Sequence, residues 1–355
     1  MSEAEHGPRD ENEHEHAEDH GHEQSEVRGS DDRALPFQVD KLEVRGRTVT
    51  LGASIDTILN RHDFPLPVKK LMAEAAVLAS LISTSLKDFG RFILQTQTDG
   101  PVSMIVVDIR MPGQIRATAS FDAEAVSAAV ADGKADAVSL LGQGTLAMTV
   151  EQGHSSQRYQ GFVPLQSETL EEAAHTYFRQ SEQIPTRIRI AVAEMFDRDE
   201  EGAPRHSWRA GGIIAQFLPY SEDRLRRRDL PGGDVPETAE PMHEHPDDDA
   251  WVEASALVDT VEDHELTDPE VSAETLLYRL FHESGVRVFE PIYLEERCSC
   301  SRERISRVLL QLGPEELDGA AAEGDIKVRC EFCGTEYRFE RDEFPATIPE
   351  PASGS

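Results

Sequence analysis

The chain has 355 residues, of which 38% are hydrophobic, and its formal net charge is −33 at pH 7. The length suggests two or three domains, and the low hydrophobic content indicates that part of the chain is disordered. The excess of negative charge argues against nucleic-acid binding, which requires a basic face. No apolar run approaches the roughly 20 residues that span a bilayer, so no membrane partner is expected. No secretory signal is visible, and we expect a cytoplasmic protein.

Residues 1–32 contain 12 acidic and 2 basic side chains, a net charge of −10, and almost no apolar ones. We predict that they form a disordered, solubilising tail. Histidines interleaved with these acids suggest weak binding of divalent metal as an alternative, although they show no rigid ligand spacing. They are His6, His14, His16, His20 and His22.

Residues 33–220 are predicted to form an α+β core domain of antiparallel β-hairpins with packed helices. Strand-like runs alternate with turn sequences, and such turns are expected at residues 45–47, 98–101 and 111–113. Apolar residues at helical spacing predict helices over 68–87, with one core-facing stripe, and over 168–183, with Ser167 as its N-cap. No nucleophile elbow, phosphate-binding loop or metalloprotease motif appears, so we do not expect an enzyme.

Residues 221–251 are acidic and rich in proline and glycine, and we predict a flexible insertion there. Residues 252–290 are predicted to form a metastable helical linker. Its first short amphipathic helix carries Val258, and a capping box at residues 267–270 is expected to start the second. Isolated helices of this length are marginal in water, so they depend on packing against another surface.

Residues 291–345 are predicted to form a small C-terminal zinc-binding domain. They contain all four cysteines of the chain, spaced as C-x-C and C-x-x-C with 29 residues between the pairs. Four thiols in two close pairs match a closed tetrahedral zinc site, so we predict one Zn²⁺ per chain. The predicted ligands are Cys298, Cys300, Cys330 and Cys333. Nearby arginines are expected to offset the charge of the thiolates. They are Arg297, Arg302, Arg304 and Arg329.

The C-x-C pair indicates more than a structural site. A disulfide across one residue closes a small, strained ring, and strained disulfides tend to be the labile, regulatory ones. Loss of metal would unfold whatever the metal had folded, which together with oxidation makes a redox switch. Two alternatives stay open: a constitutive zinc knuckle that serves as an interaction module, and a thiol–disulfide oxidoreductase. The second alternative, the oxidoreductase, lacks a preceding thioredoxin-like βαβ pattern.

Residues 346–355 are predicted to be a disordered tail.

The runs C-S-C-S-R-E-R from Cys298 and C-E-F-C-G-T-E-Y-R-F from Cys330 resemble the zinc-binding end of a known family. It is the bacterial redox-regulated heat-shock holdases, the thirty-three-kilodalton heat-shock protein family. Further segments stand in the family's order, at residues 60–69, 99–101, 158–161, 181–187 and 210–212. The resemblance covers roughly residues 36–220 and 252–344, whereas the first 32 residues and the 221–251 stretch depart from it.

This resemblance implies an ATP-independent chaperone that is inactive while reduced and zinc-bound. Oxidation, zinc release and disulfide formation would let it bind unfolded or partly folded client proteins and protect them from aggregation. It also implies a homodimer when oxidised. Because short loops close most readily, we expect the disulfides Cys298–Cys300 and Cys330–Cys333. We expect the zinc-bound end to hold the linker helices and to release them on oxidation.

Overall fold

The chain folds around two sheets of antiparallel strands. The computed structural model describes residues 31–86, 89–153, 158–198, 202–217, 248–321 and 324–344. The strands of sheet one are β1 (Arg33–Val39), β2 (Val44–Leu51), β8 (Thr186–Arg198), β9 (Pro204–Phe217), β10 (Val286–Val288) and β11 (Ile292–Tyr293). Their order is β10-β1-β2-β9-β8, and β11 also pairs with β1.

Sheet two comes mostly from the middle of the chain. Its strands are β3 (Phe89–Thr98), β4 (Val102–Arg110), β5 (Gln114–Phe121), β6 (Gln143–Gln152), β7 (Arg158–Gln166) and β12 (Glu295–Glu296). Their order is β12-β5-β4-β3-β6-β7, and only the short β12 pairs parallel to its neighbour. A separate hairpin joins β13 (Ile326–Arg329) to β14 (Glu336–Phe339). The predicted α+β class, with antiparallel hairpins, packed helices and a small C-terminal unit, is confirmed.

One helix lies between the two sheets. The helices of the first two hundred residues are α1 (Ala53–Asn60), α2 (Leu66–Ser83), α3 (Ala123–Ala131), α4 (Ala137–Leu141) and α5 (Leu170–Tyr177). Helix α2 contacts strands of both sheets and is buried along nearly its whole length. The predicted helix is therefore present, but the single core-facing stripe is wrong, because a helix that is apolar on all sides is buried on all sides.

Three later helices cover the other face of sheet one: α6 (Asp249–Asp259), α7 (Asp263–Thr267) and α8 (Ala273–Phe281). Their buried side chains join those of β1, β2, β8 and β9 in one apolar cluster. Phe281 stacks on Phe37 with ring centroids 5.7 Å apart, and Trp251 lies 6.0 Å from Phe217. The linker helices thus pack on the core domain. The expectation that the zinc-bound end holds these helices in place stays a prediction.

Two adjacent glycines in β9 allow helices to approach from both faces. Successive residues of a strand point to opposite sides of the sheet. A Cβ on Gly212 would lie 2.7 Å from the Val77 side chain of α2. A Cβ on Gly211 would lie 2.1 Å from the carbonyl oxygen of Leu266 in α7. Each glycine therefore leaves room for one helical layer.

The turn predicted at residues 45–47 is wrong, because these residues lie inside β2 opposite β1. The chain reverses earlier, through a short 3-10 turn at Asp40–Leu42. Gly46 answers a different need: a Cβ there would lie 2.2 Å from the Phe37 ring. A glycine that permits a close approach between strands therefore gives the same sequence signal as a glycine in a turn.

Two predicted helix starts are also misplaced. Helix α5 is capped by Thr169 in a capping box with Glu172, and not by Ser167. Helix α8 is capped by Ser272, whose hydroxyl accepts from the Thr275 amide at 3.1 Å. The capping-box pattern at residues 267–270 instead marks the end of α7 and the turn that follows it.

Several predictions lie outside the described residues: most of the N-terminal tail with its histidines, the insertion up to residue 247, and the last residues after 344. Two residues assigned to the tail belong to the fold. The Asp32 carboxylate accepts from the amides of Gly52 (2.9 Å) and Ser54 (3.1 Å), and Asp31 pairs with Arg209. Among the described residues, no helix is long and apolar enough to cross a membrane.

Candidate metal centre

The four cysteines come together beside the β13–β14 hairpin. Cys298 and Cys300 lie on the extended segment after β12, and Cys330 and Cys333 lie in the turn between β13 and β14. All four Sγ atoms lie within 4.8 Å of one another. Two separations between the pairs are 3.8 Å for Cys298–Cys330 and 3.3 Å for Cys300–Cys333.

The hairpin turn places both sulfurs of the C-x-x-C pair on one side. The Cys330 amide donates to the Thr335 carbonyl at 2.9 Å, and the Gly334 amide donates to the Cys330 carbonyl at 2.8 Å. Gly334 has φ +70°, a conformation that favours glycine. The hairpin packs with α9 (Arg302–Leu309) and α10 (Pro314–Ala320). Its buried apolar residues are Leu309, Leu317, Ile326, Phe339 and Phe344. So small a core commonly needs a metal to be stable.

The thiols differ in how easily they ionise. Burial raises the pKa of Cys300 to about 12 and also raises the pKa of Cys330. Burial opposes ionisation of Cys333 as well, but hydrogen bonding with Thr335 and the neighbouring cysteines lowers its pKa to about 7. The Tyr337 hydroxyl lies 3.2 Å from the Cys300 sulfur. Four thiolates side by side would therefore need a cation among them.

The sulfur positions fit a tetrahedral metal ion. Zinc–sulfur bonds of about 2.3 Å give sulfur–sulfur edges of about 3.8 Å in a regular tetrahedron. The observed 3.8 and 3.3 Å lie near that value. Four sulfur donors with no open position are typical of a structural rather than a catalytic site. All four predicted ligand residues are thus brought together, and the group can hold a metal ion.

One arginine from sheet two reaches the cluster, and the sequence reasoning missed it. Arg116 on β5 donates to the Cys298 sulfur at 3.6 Å, and its guanidinium carbon lies 4.0 Å from the centre of the Phe332 ring. Asp108 on β4, directly opposite Arg116, accepts from it at 2.8 Å. The turn predicted at Met111–Gly113 could have indicated this opposite-charge pair, because it fixes the hairpin register.

Two of the four arginines expected to face the thiolates have other partners. Arg302 lies over the Phe339 ring and pairs with Glu343 at 2.7 Å. Arg304 donates to the Ser299 carbonyl at 2.8 Å. Among the contacts of the described residues, the guanidinium that donates to a cysteine sulfur is that of Arg116.

Residues 286–296, which we call the strap, connect α8 to the cysteines and pair with both sheets. Within it, β10 and β11 pair with β1, whereas β12 pairs with β5. Arg61 forms a two-pronged ion pair with Glu296, and the Glu296 amide donates to the Ser54 hydroxyl at 3.2 Å. The side chain of Leu294 is buried in the main core. The strap thus fixes the start of the cysteine-containing end to the core domain.

Fold and site together define a two-sheet α+β protein with a cluster of four cysteines near its C-terminal end that can hold a metal ion. A family model described as "Hsp33 protein" matches residues 32–340. The chain therefore belongs to the Hsp33 family.

Sequence relatives and a solved structure agree with this assignment. A "33 kDa chaperonin" from Caulobacter vibrioides is 42% identical over 313 residues, which cover 87% of this chain and 95% of that protein. The protein of the same name from Escherichia coli K12 is 32% identical over 309 residues, 87% of this chain and 92% of the relative. The crystal structure of the 33 kDa chaperonin from Thermotoga maritima covers 88% of this chain and 96% of its own. Its TM-score is 0.64 at 21% identity, so it shares the fold.

Proposed function

We propose that this chain is a redox-regulated, ATP-independent holdase that binds unfolded proteins after oxidation and protects them from aggregation. The observation that carries the proposal is the four-sulfur cluster, joined by the strap to helices that cover an apolar sheet face. Its relatives bear the name 33 kDa chaperonin, which supports a chaperone role. We place it in the cytoplasm, where thiols are kept reduced until stress oxidises them.

In the reduced state, Cys298, Cys300, Cys330 and Cys333 would hold one Zn²⁺, which contributes a fixed tetrahedral arrangement of thiolates and no redox chemistry of its own. The small core beneath the hairpin would then be stable, and the strap would keep it against sheet two. Sheet one would stay covered by α6, α7 and α8. The protein in this state is inactive because its apolar face is buried.

Oxidation would convert each cysteine pair into one disulfide. Two thiols give up two electrons and two protons to form one S–S bond, and one hydrogen peroxide takes them up to give two waters. Cys298 would pair with Cys300 and Cys330 with Cys333. A disulfide brings its sulfurs to about 2.05 Å and removes the thiolates, so the tetrahedral donor set is lost. The hairpin would then lose the bonds that stabilise its small core.

Release of the linker would expose apolar surface on both the helices and sheet one. That face carries Leu35, Phe37, Val39, Val44 and Phe217. Burial of apolar area is non-directional, so the exposed face would hold unfolded clients of many sequences without ATP. The same surface would let two oxidised copies associate, which is why we propose a homodimer in the active state.

The test is a comparison of reduced and oxidised full-length protein. Native mass spectrometry of the reduced protein should show one zinc per chain. After peroxide treatment and zinc loss, the protein should suppress aggregation of an unfolded client and should not reduce the disulfides of insulin. A zinc-bound protein whose client binding is unchanged by oxidation would instead indicate a constitutive zinc module. Insulin reduction would indicate an oxidoreductase.

A matched variant separates metal binding from other effects. Cys298→Ser together with Cys330→Ser removes one ligand from each pair and should abolish zinc binding. Zinc retained by this double variant would contradict the assigned ligand set. Ser299→Ala, which changes a neighbouring residue outside the ligand set, should keep one zinc per chain.

A further inference from the structure

A charged cluster lies on the outer face of sheet two, beneath the cysteine-containing end. The Asp108 side chain is 1% exposed and accepts from Arg91 Nε at 2.7 Å and from Arg116 Nε at 2.8 Å. Burying a carboxylate is costly unless it is well paired, so these arginines are held in defined positions. The proposed switch assigns no role to this cluster.

Arg116 touches both halves of the cysteine motif. It donates to the sulfur of Cys298, in the C-x-C pair, at 3.6 Å. Its guanidinium lies 4.0 Å from the ring of Phe332, which sits between the two cysteines of C-x-x-C. Two residues along the same strand face, the Thr118 hydroxyl donates to the Glu331 carbonyl at 2.8 Å. Strand β5 therefore contacts both segments that supply the sulfurs.

We propose that Arg116, oriented by Asp108, is a positioning residue that docks the metal centre on sheet two and slows loss of the metal. The inference rests on the zinc binding proposed above. A hydrogen bond from a charged donor to a thiolate stabilises the ionised ligand, and an outer partner that fixes this donor preserves its direction. The cation–π contact with Phe332 ties the second ligand pair to the same guanidinium.

Arg91 offers a matched control. It bonds the same Asp108 carboxylate from the neighbouring strand β3, and its other described ion-pair partner is Glu151 at 3.5 Å. Arg91→Gln therefore removes about as many bonds from Asp108 as Arg116→Gln does. It leaves the contacts of Arg116 with Cys298 and Phe332 in place. Effects that come only from weakening the buried ionic cluster should be equal in the two variants.

The experiment uses reduced, zinc-loaded full-length protein. The first measurement is the rate of zinc transfer to a chromogenic chelator, and the second is hydrogen exchange of residues 329–334. Arg116→Gln should accelerate zinc transfer about tenfold, the size of effect that lost outer-shell partners have on metal affinity, and should speed exchange in this segment. Arg91→Gln should stay within about twofold of wild type. Arg116→Lys keeps the charge but lacks the planar, forked guanidinium, so its zinc transfer and hydrogen exchange should remain close to those of Arg116→Gln.

The outcomes separate this inference from the proposed function. Zinc transfer and exchange at wild-type rates in Arg116→Gln would overturn the inference alone. So would equal acceleration in Arg91→Gln, because the effect would then belong to the sheet. A wild-type protein that holds no zinc would overturn the proposed function and the metal-retention role together. In that case the exchange measurement would still decide whether Arg116 docks residues 329–334.

Discussion

At the scale of single residues, His175 couples the core to pH. Its Nε2 accepts a hydrogen bond from the Ile188 amide at 2.9 Å, which only an unprotonated nitrogen can do. Burial lowers its pKa from 6.5 to about 4. Burial also raises the pKa of Glu74 on α2 to about 7, so two partly buried groups titrate in overlapping pH ranges with opposite effects on stability.

The sign of each effect follows from which state binds the proton first. Unfolded His175 is protonated near pH 6.5 and the folded form only near pH 4, so its contribution is complete above pH 6.5 and is lost as pH falls through this window. Glu74 binds its proton first in the folded state, so it adds stability as pH falls from 7 towards 4.5. The difference in free energy of unfolding between wild type and a His175 variant, taken at each pH, isolates the contribution of the histidine.

We predict that His175→Gln, which keeps a hydrogen-bond acceptor, flattens the loss of stability on acidification. The difference in free energy of unfolding between wild type and variant should change by about 1–3 kcal/mol from pH 6.5 to pH 4, given that the side chain is partly exposed. Urea unfolding at a series of pH values measures this. A difference that is constant with pH would show that the pKa of His175 is the same in the folded and the unfolded protein.

The disulfide pairing is a second prediction at this scale. Cys298 lies close to Cys330 and Cys300 lies close to Cys333, but all four sulfurs are within 4.8 Å of one another, so position alone does not choose the disulfide partners. Once the hairpin loosens, loops of one or two residues close far more readily than loops of about thirty. Peptide mapping of peroxide-treated protein should find the bridges within each pair. Predominant bridges between the pairs would refute this order of events.

At the scale of elements, the linker helices are held on sheet one both by apolar contacts and by a close backbone approach at Gly211. Leu277 is fully buried. Helix α7 passes so close to β9 that its Leu266 carbonyl oxygen occupies the space that a Cβ at position 211 would need. Arg33 and Glu274 add an ion pair of 2.7 Å between β1 and α8. Perturbing this packing should therefore release the linker without touching the cysteines.

We predict that Gly211→Ala and Leu277→Asp each detach the linker while zinc stays bound. The first forces the layers apart at a cost of about 1–3 kcal/mol, and the second buries a charge at a cost of several kcal/mol. Both variants should suppress client aggregation while still reduced, with fast hydrogen exchange across 249–281. Gly319→Ala is the control, because a Cβ there meets nothing within 4 Å.

The two readouts give different information. Fast exchange in a reduced variant that remains inactive would mean that linker release is insufficient and that clients bind elsewhere. Slow exchange of residues 249–281 in oxidised wild type would mean that the linker is not the switch.

Local sequence signals predicted where most helices and strands lie, but they did not always identify why a particular residue occurs at its position. The hairpins β3–β4 and β4–β5 follow from alternating apolar residues and turn residues, and the structure confirms them. Gly46 and the capping-box pattern at 267–270 were misassigned because identical residues serve turns, caps and close contacts, and only tertiary packing decides among them. The cysteine cluster was predictable because ligand spacing is local information. Arg116 was not, because its partner Cys298 is 182 residues away.

At the scale of the whole molecule, the fold begins earlier than the core domain predicted from sequence. Asp32 caps the start of α1 through its carboxylate, and its carbonyl accepts from the Leu294 amide of the strap at 2.7 Å. Asp31 pairs with Arg209 on β9, which in turn donates to the Thr267 carbonyl of α7 at 2.9 Å. Two acidic residues thus connect the first strand to the strap and the linker.

Two deletions that differ by these residues should therefore behave differently. Removing residues 1–30 should leave the melting temperature and oxidised activity near wild type, because that segment has too few apolar residues to join a core. Removing residues 1–32 should lower the free energy of unfolding by about 1–3 kcal/mol, the cost of a lost cap and a partly buried ion pair. A large loss with the shorter deletion would give the histidine-rich segment a role.

The strap also sets how a local event at the sulfurs travels. Its three strands are only two or three residues long, and they grip the core one after another between Cys298 and the end of α8. When the cysteine-containing end comes loose, these short strand pairings should break one at a time, starting with the pairing closest to Cys298. Each broken pairing exposes the next one to solvent. Relaxation after oxidation should accordingly run backwards along the chain, with β12 first, then β11, β10 and last the helices. The delay between oxidation of the cysteines and binding of a client would then equal the time that the three strap pairings take to break in sequence.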